Sequence, residues 1–351
     1  IRDAQESRGL GDVYKRQIHL HFERWNTLNV VSRFQWIVSA LFVMIFIASG
    51  CKTGESSFFP TSTPIAKKTI LPTQTIQLSA TESFIPLPSS TLESKSVVTE
   101  PTATLAPNAW QMMPVIPEVS ETARLIYQYG LQRGVNPEAF SKIGDCESRT
   151  TWFLYDFDQG PQYYDLGPYT YLEPVIDHFK GSFGRLSQVA KPGFTAAAVM
   201  TPLWADPAQC QKNETPLACE YRQQNPAFSF IMLGTNDVAR PETFEANMRR
   251  VIEFTIDQGI VPILATKADN LEGDHQINAT IARLAYEYDI PLWNFWLAVQ
   301  DLPDKGLQPD GAHLTWSPNH FGDPEVMKRA WPVRNLTALQ TLDVVWRGVT
   351  Q

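Results

Sequence analysis

Between residues 120 and 350, short apolar runs of strand length alternate with longer segments whose apolar residues recur every three or four positions. "SETARLIYQYGLQRG" opens on Ser120, able to cap a helix, and closes on Gly134, and "AFSKIG" then reads as a strand. "FSFIML", Phe228 to Leu233, is apolar without alternation, the pattern of a central strand covered on both faces. "PETFEANMRRVIEFTIDQG" reads as a helix with Pro241 in its first turn and Gly259 past its end, followed by the strand "IVPILAT". "NATIARLAYEYD" and "IPLWNFW" repeat the helix-strand unit, and "NLTALQTLDVVWRGV" closes as a helix. This alternation predicts an α/β domain with a central parallel sheet under helices on both sides.

The pattern changes before residue 110. Residues 1–17, "IRDAQESRGLGDVYKRQ", resemble a translated adapter sequence and are set aside. Within residues 18–51, Arg33 precedes an apolar run from Trp36 to Ala48 that closes on small residues and Cys51. A spanning helix needs ~20 apolar residues, and a shorter run behind a positive flank reads as an export signal. "IASGC" resembles the lipobox of bacterial lipoproteins, which makes Cys51 the expected lipidated residue and a bilayer the expected partner. The chain is then expected to be exported and lipid-anchored on the extracellular or periplasmic face; a retained N-terminal anchor is the alternative. Residues 52–109 are rich in Thr, Ser and Pro with no helical or strand period, so they cannot build a core and read as a disordered linker. Residues 110–351 remain as one domain long enough for a substantial core.

Charge removes one class of partner. A net charge of −8, with no basic cluster beyond adjacent pairs such as Lys67-Lys68, argues against nucleic acid. The cysteines are few and widely spaced and no paired-histidine helix motif occurs, so neither a metal nor another cofactor is expected.

Candidate chemistry gathers in three stretches that follow strands, where an open α/β sheet presents its ligand site. "DGAH" places Asp310 and His313 on one turn, so a carboxylate can hold one imidazole nitrogen and leave the other as a base. "GTND" follows the buried strand: Gly234 permits a tight turn and Asn236 can aim its amide at a developing oxyanion. "GDC" sets Cys146 after Gly144 and Asp145, where it can serve as nucleophile. In this order the stretches resemble the SGNH/GDSL hydrolase superfamily, whose blocks are Gly-Asp-Ser, a glycine, Gly-x-Asn-Asp and Asp-x-x-His. The resemblance spans about residues 138–317 and departs at Cys146, which stands where the family has serine.

That resemblance implies a flavodoxin-like three-layer α/β/α sandwich and an esterase acting through Cys146, His313 and Asp310. It implies an oxyanion hole from Asn236, the Cys146 backbone and Gly193, with Ala196 as the other candidate donor. Gly144, Asp145, Gly234 and Asp237 would support the motifs. Ser148 is the rival nucleophile. The substrate is expected to be an acyl ester, of a carbohydrate or a lipid; a silent binding pocket and an acyltransferase remain as alternatives.

Cysteine pairing completes the reading. Cys210 and Cys219 bracket a short loop containing Pro216 and are expected to form a disulfide, which leaves Cys146 as a free thiol that an adjacent imidazole and helix N-terminus would bias toward thiolate. Trp152, Trp204 and Trp316 are candidate substrate platforms, and residues 156–174 a candidate pocket-lining loop. His178 reads as a helix-end residue, His275 as part of a polar loop, and His320 as a candidate pocket residue.

Overall fold

Ser120 starts the first helix as its position suggests: its Oγ accepts the Ala123 N–H at 3.1 Å, and Gly134 ends the helix in the left-handed region at φ 81°. The structure, a computed structural model, describes residues 105–148 and 152–351; Cys51, its signal and the linker lie outside the described residues. In chain order the elements are α1 (Glu121–Arg133), β1 (Asn136–Gly144), β2 (Tyr164–Asp165), α2 (Glu173–His178), α3 (Pro216–Gln224), β3 (Pro226–Met232), α4 (Pro241–Asp257), β4 (Val261–Ala265), α5 (Gln276–Tyr288), β5 (Leu292–Trp293), α6 (Phe295–Ala298), β6 (Asn319–His320) and α7 (Ala330–Thr350), joined by 3-10 turns. No described helix is long and apolar enough to cross a membrane.

The main sheet is parallel throughout, in the order β1-β3-β4-β5. On the free side of β1, Gly144 forms a parallel bridge with Ala190, so this segment takes the place of a second strand. With the Ala190 segment counted as an edge strand outside β1, the order along the sheet, Ala190 segment-β1-β3-β4-β5, is the flavodoxin-like one.

Strand parity shows both faces covered. Phe140, Phe228 and Phe230 point to one side, where Phe140 meets Phe179, Phe228 meets Tyr127 of α1, and Phe230 meets Phe153 and Trp293. On this side α7 closes the layer: Arg124 of α1 donates to the Gly348 carbonyl, and His178 stacks on Trp346 at 4.2 Å. Ser141 and Ser229 point to the other side, where Ser141 donates to Glu220 of α3 and Tyr221 bonds both Ser229 and Thr255 of α4. Helices α4 and α5 are clasped by Arg249, Arg283, Glu245 and Glu287. The described residues therefore form a three-layer α/β/α sandwich.

Three local expectations are adjusted. The strand expected over residues 290–296 stops at Trp293, because the Asn294 side chain binds the Trp110 and Met113 carbonyls and accepts from Leu297 N–H to start α6. Residues 156–174 form successive 3-10 turns and β2, which pairs with β6 through Tyr164–Asn319 and Asp165–His320. His275 ends the polar loop before α5, as expected, but its ring packs against Trp110 and Trp296. Cys210 and Cys219 are joined with their Cα atoms 5.3 Å apart, and Cys219 lies in α3, which Thr215 caps.

Candidate active site

The carboxyl end of β1 turns sharply at Gly144. A Cβ there would meet Ser148 Oγ at 2.1 Å and the Met232 carbonyl at 2.7 Å, so no side chain fits. Asp145 stabilises the turn by accepting the Glu147 N–H at 3.0 Å, and a single 3-10 turn, Cys146–Ser148, follows. Cys146 is thereby left half-buried as a free thiol. Ser148 is not placed to compete: it is fully buried, with its hydroxyl against Met232 sulfur at 3.8 Å.

The candidate base comes from the opposite end of the domain. Asp310 Oδ1 accepts the backbone N–H groups of Ala312 and His313, both at 3.0 Å, and its Oδ2 lies 2.6 Å from His313 Nδ1. The other ring nitrogen, Nε2, lies 3.8 Å from Cys146 Sγ. Cys146, His313 and Asp310 thus form a continuous chain of contacts. The backbone and imidazole bonds hold the Asp310 carboxyl low, at about 2, and the hydrogen bond to Asp310 pushes His313 up from its ordinary value.

The thiol goes the other way. Burial first, then the negative charges of Asp145 and Glu147, push Cys146 above the usual thiol value. The expected bias toward thiolate is thus reversed, because a three-residue turn supplies little dipole and two carboxylates flank the sulfur. The ring nitrogen of His313 that faces the sulfur is placed to accept its proton.

Asn236 stands after β3 on the turn begun by Gly234, whose φ is 137° and where a Cβ would meet Ile277 at 2.7 Å. Its Nδ2 donates to the Phe194 carbonyl at 3.2 Å; an amide has two such hydrogens, so one remains for another acceptor. Asp237 is buried and accepts the Ala196 N–H through both oxygens, at 3.1 and 3.2 Å, and burial pushes its carboxyl up to about 6. Ala196 is therefore occupied and cannot be an oxyanion donor. Gly193 is exposed at φ 79° on the same loop, which is fastened to the end of β1 by Lys191 N–H donating to Gly144 and to Asn236 through Phe194.

Sequence reasoning passed over Glu147 and Arg334. Both are buried, and they form an ion pair at 3.3 Å behind the Cys146 turn. With Asp145, Lys267 and Asp269 they line a cavity of about 30 Å³ under the site. The Glu147 signal was its place beside Cys146; Arg334 lies 187 residues away and carried none.

Among solved structures, the chain is similar to a GDSL-like lipase from Bacteroides thetaiotaomicron, at 17% identity over 64% of this chain and 98% of that one, with a TM-score of 0.37. It is also similar to a catalytic mutant of an acetylxylan esterase from Geobacillus stearothermophilus, at 15% identity over 61% of this chain and 96% of that one, with a TM-score of 0.38. No protein-family profile and no curated protein matches the chain.

Proposed function

We propose that this chain is an ester hydrolase of the SGNH type with cysteine as its nucleophile, held on the outer face of a membrane by lipid on Cys51. The observation that carries the reading is the unbroken contact chain Cys146–His313–Asp310 at the carboxyl end of a parallel sheet, with the amide of Asn236 fastened nearby.

In this reading His313 Nε2 takes the thiol proton as Cys146 sulfur attacks the ester carbonyl carbon. The carbonyl oxygen becomes an oxyanion, received by the free Asn236 N–H and the backbone N–H groups of Cys146 and Gly193. Asp310 keeps the Nδ1 proton in place and stabilises the imidazolium. Collapse expels the alcohol, which takes the proton from Nε2, and leaves a thioester on Cys146. Water, losing a proton to His313, then adds to the thioester carbonyl; the acid departs and the thiol is restored.

A carbohydrate alcohol fits the exposed aromatics best. Trp204 is exposed and packs on Phe194, the residue whose carbonyl holds Asn236, while exposed Trp316 follows the base by three residues. Exposed Trp152 packs on Trp331, whose N–H donates to Thr315 beside Trp316. Flat indole faces of this kind suit sugar rings.

The raised thiol favours a second reading, a binding protein that does not turn over. The test is incubation of the purified chain with short-chain aryl esters and acetylated glycans, with and without a thiol-alkylating reagent. Alkylation-sensitive hydrolysis supports the enzyme; saturable glycan binding without hydrolysis supports the second reading.

A further inference from the structure

Glu147 takes no part in the chemistry above, yet its side chain touches both halves of the site. It follows Cys146 directly, is only 7% exposed, and its backbone belongs to the nucleophile turn. Its Oε1 accepts the N–H of Leu314, the residue after His313, at 3.3 Å, and its Oε2 receives Arg334 Nη1 at 3.3 Å. One side chain therefore joins two loops 167 residues apart in sequence, one bearing the thiol and the other the base.

Arg334 is anchored in turn. Its guanidinium, projecting from α7, lies 5.0–6.0 Å from the ring centres of Phe153, Trp293, Phe295 and Trp331, so it has little freedom to follow a moving carboxylate. A buried ion pair stabilises a fold no better than well-packed apolar residues. Its distinguishing effect here is geometric.

Resting on the hydrolase reading, we propose that Glu147 is a positioning residue that sets the Cys146–His313 separation, with Arg334 as its anchor. The groups facing its carboxylate are Arg334, Asp145 and His313; burial pushes that carboxyl up to about 7, and in its ionised form its charge works against ionisation of the thiol.

The test compares Glu147→Met, which keeps the bulk and removes both acceptors, with Glu147→Gln, which supplies one acceptor to two donors. Two quantities are read on the full chain: ester turnover, and the pH dependence of Cys146 alkylation by iodoacetamide, with and without His313→Asn. Glu147→Met should lower kcat by roughly 10–100-fold with KM within about twofold, the scale of a misplaced base. In that background His313→Asn should no longer alter the alkylation profile, because the imidazole is no longer held against the sulfur. Glu147→Gln should keep much of kcat and of the His313 effect, and its alkylation midpoint should fall. If Glu147→Met does not fold, the double variant Glu147→Met/Arg334→Met, which leaves no buried charge unpaired, is read in its place. If neither folds, Glu147→Gln decides: a partial fall in kcat with a weakened His313 effect supports the proposal, and wild-type kcat with an undiminished His313 effect overturns it. Wild-type kcat with an intact His313 effect in either apolar variant also overturns it. Alkylation that depends on His313 and Glu147 in a chain without ester turnover would instead reject the hydrolase reading and leave the positioning role standing.

Discussion

Asn236 and His313 make opposite kinds of demand on the site. The amide acts on charge that exists only near the transition state, so Asn236→Ala should lower kcat by ~100–1,000-fold while circular dichroism shows the fold intact. The imidazole must be neutral to act as a base, and its hydrogen bond to Asp310 raises its pKa. The rate should therefore fall on the acid side with a midpoint above the ordinary imidazole value of about 6.5. Asp310→Asn removes the group that raises it, so the midpoint should move down as the rate drops, which a pH profile of kcat/KM will show. Cys146 is the residue where local reasoning failed: Asp145 and Glu147 stand on either side of it in the sequence, but burial, the first cause of the raised thiol, depends on the folded turn.

Strand β1 carries a feature of its own. Lys142 points among Phe140, Phe153 and Phe183, fully buried, and its ammonium donates to the Phe153 and Phe183 carbonyls. Burial pushes it down to about 7. In the unfolded chain the same group titrates at about 10.4, so between these values the unfolded state binds a proton that the folded state does not. The cost of burying Lys142 is thus complete below pH 7, and stability should rise with pH above it. Lys142→Met should lose that rise: its urea midpoint, compared with wild type, should look better at pH 6.5 than at pH 10. The elements themselves were legible wherever two-sided burial wrote an apolar run, as in β3, or a cap marked an end, as at Ser120 and Gly134. The Ala190 edge segment was not, since a single bridge leaves no periodic trace. The end of β5 was missed because Asn294 spends its amide on Trp110 and Met113, partners far away in sequence.

At the scale of the whole molecule, the parallel order puts the ends of β1 and β3 on one edge, which brings the turns of Cys146 and Asn236 there, while Asp310 and His313 arrive on a loop beyond α6. The three motifs were readable in sequence because each is a local turn with its own chemistry; the Glu147–Arg334 tie was not, because only the fold brings α7 under the nucleophile. The proposed tether belongs to this scale too. Expressed in a bacterium, the wild-type chain should partition into detergent and carry lipid, and Cys51→Ser should lose both.

In the proposed reaction the Cys146 sulfur carries the acyl group. Quenching the chain during turnover of an aryl ester and mapping it by peptide mass spectrometry measures this directly. An acyl thioester is expected on Cys146, released by neutral hydroxylamine and absent after prior alkylation, with Cys146→Ala inactive. Undiminished hydrolysis by Cys146→Ala, or an acyl group mapped to another residue, would contradict it.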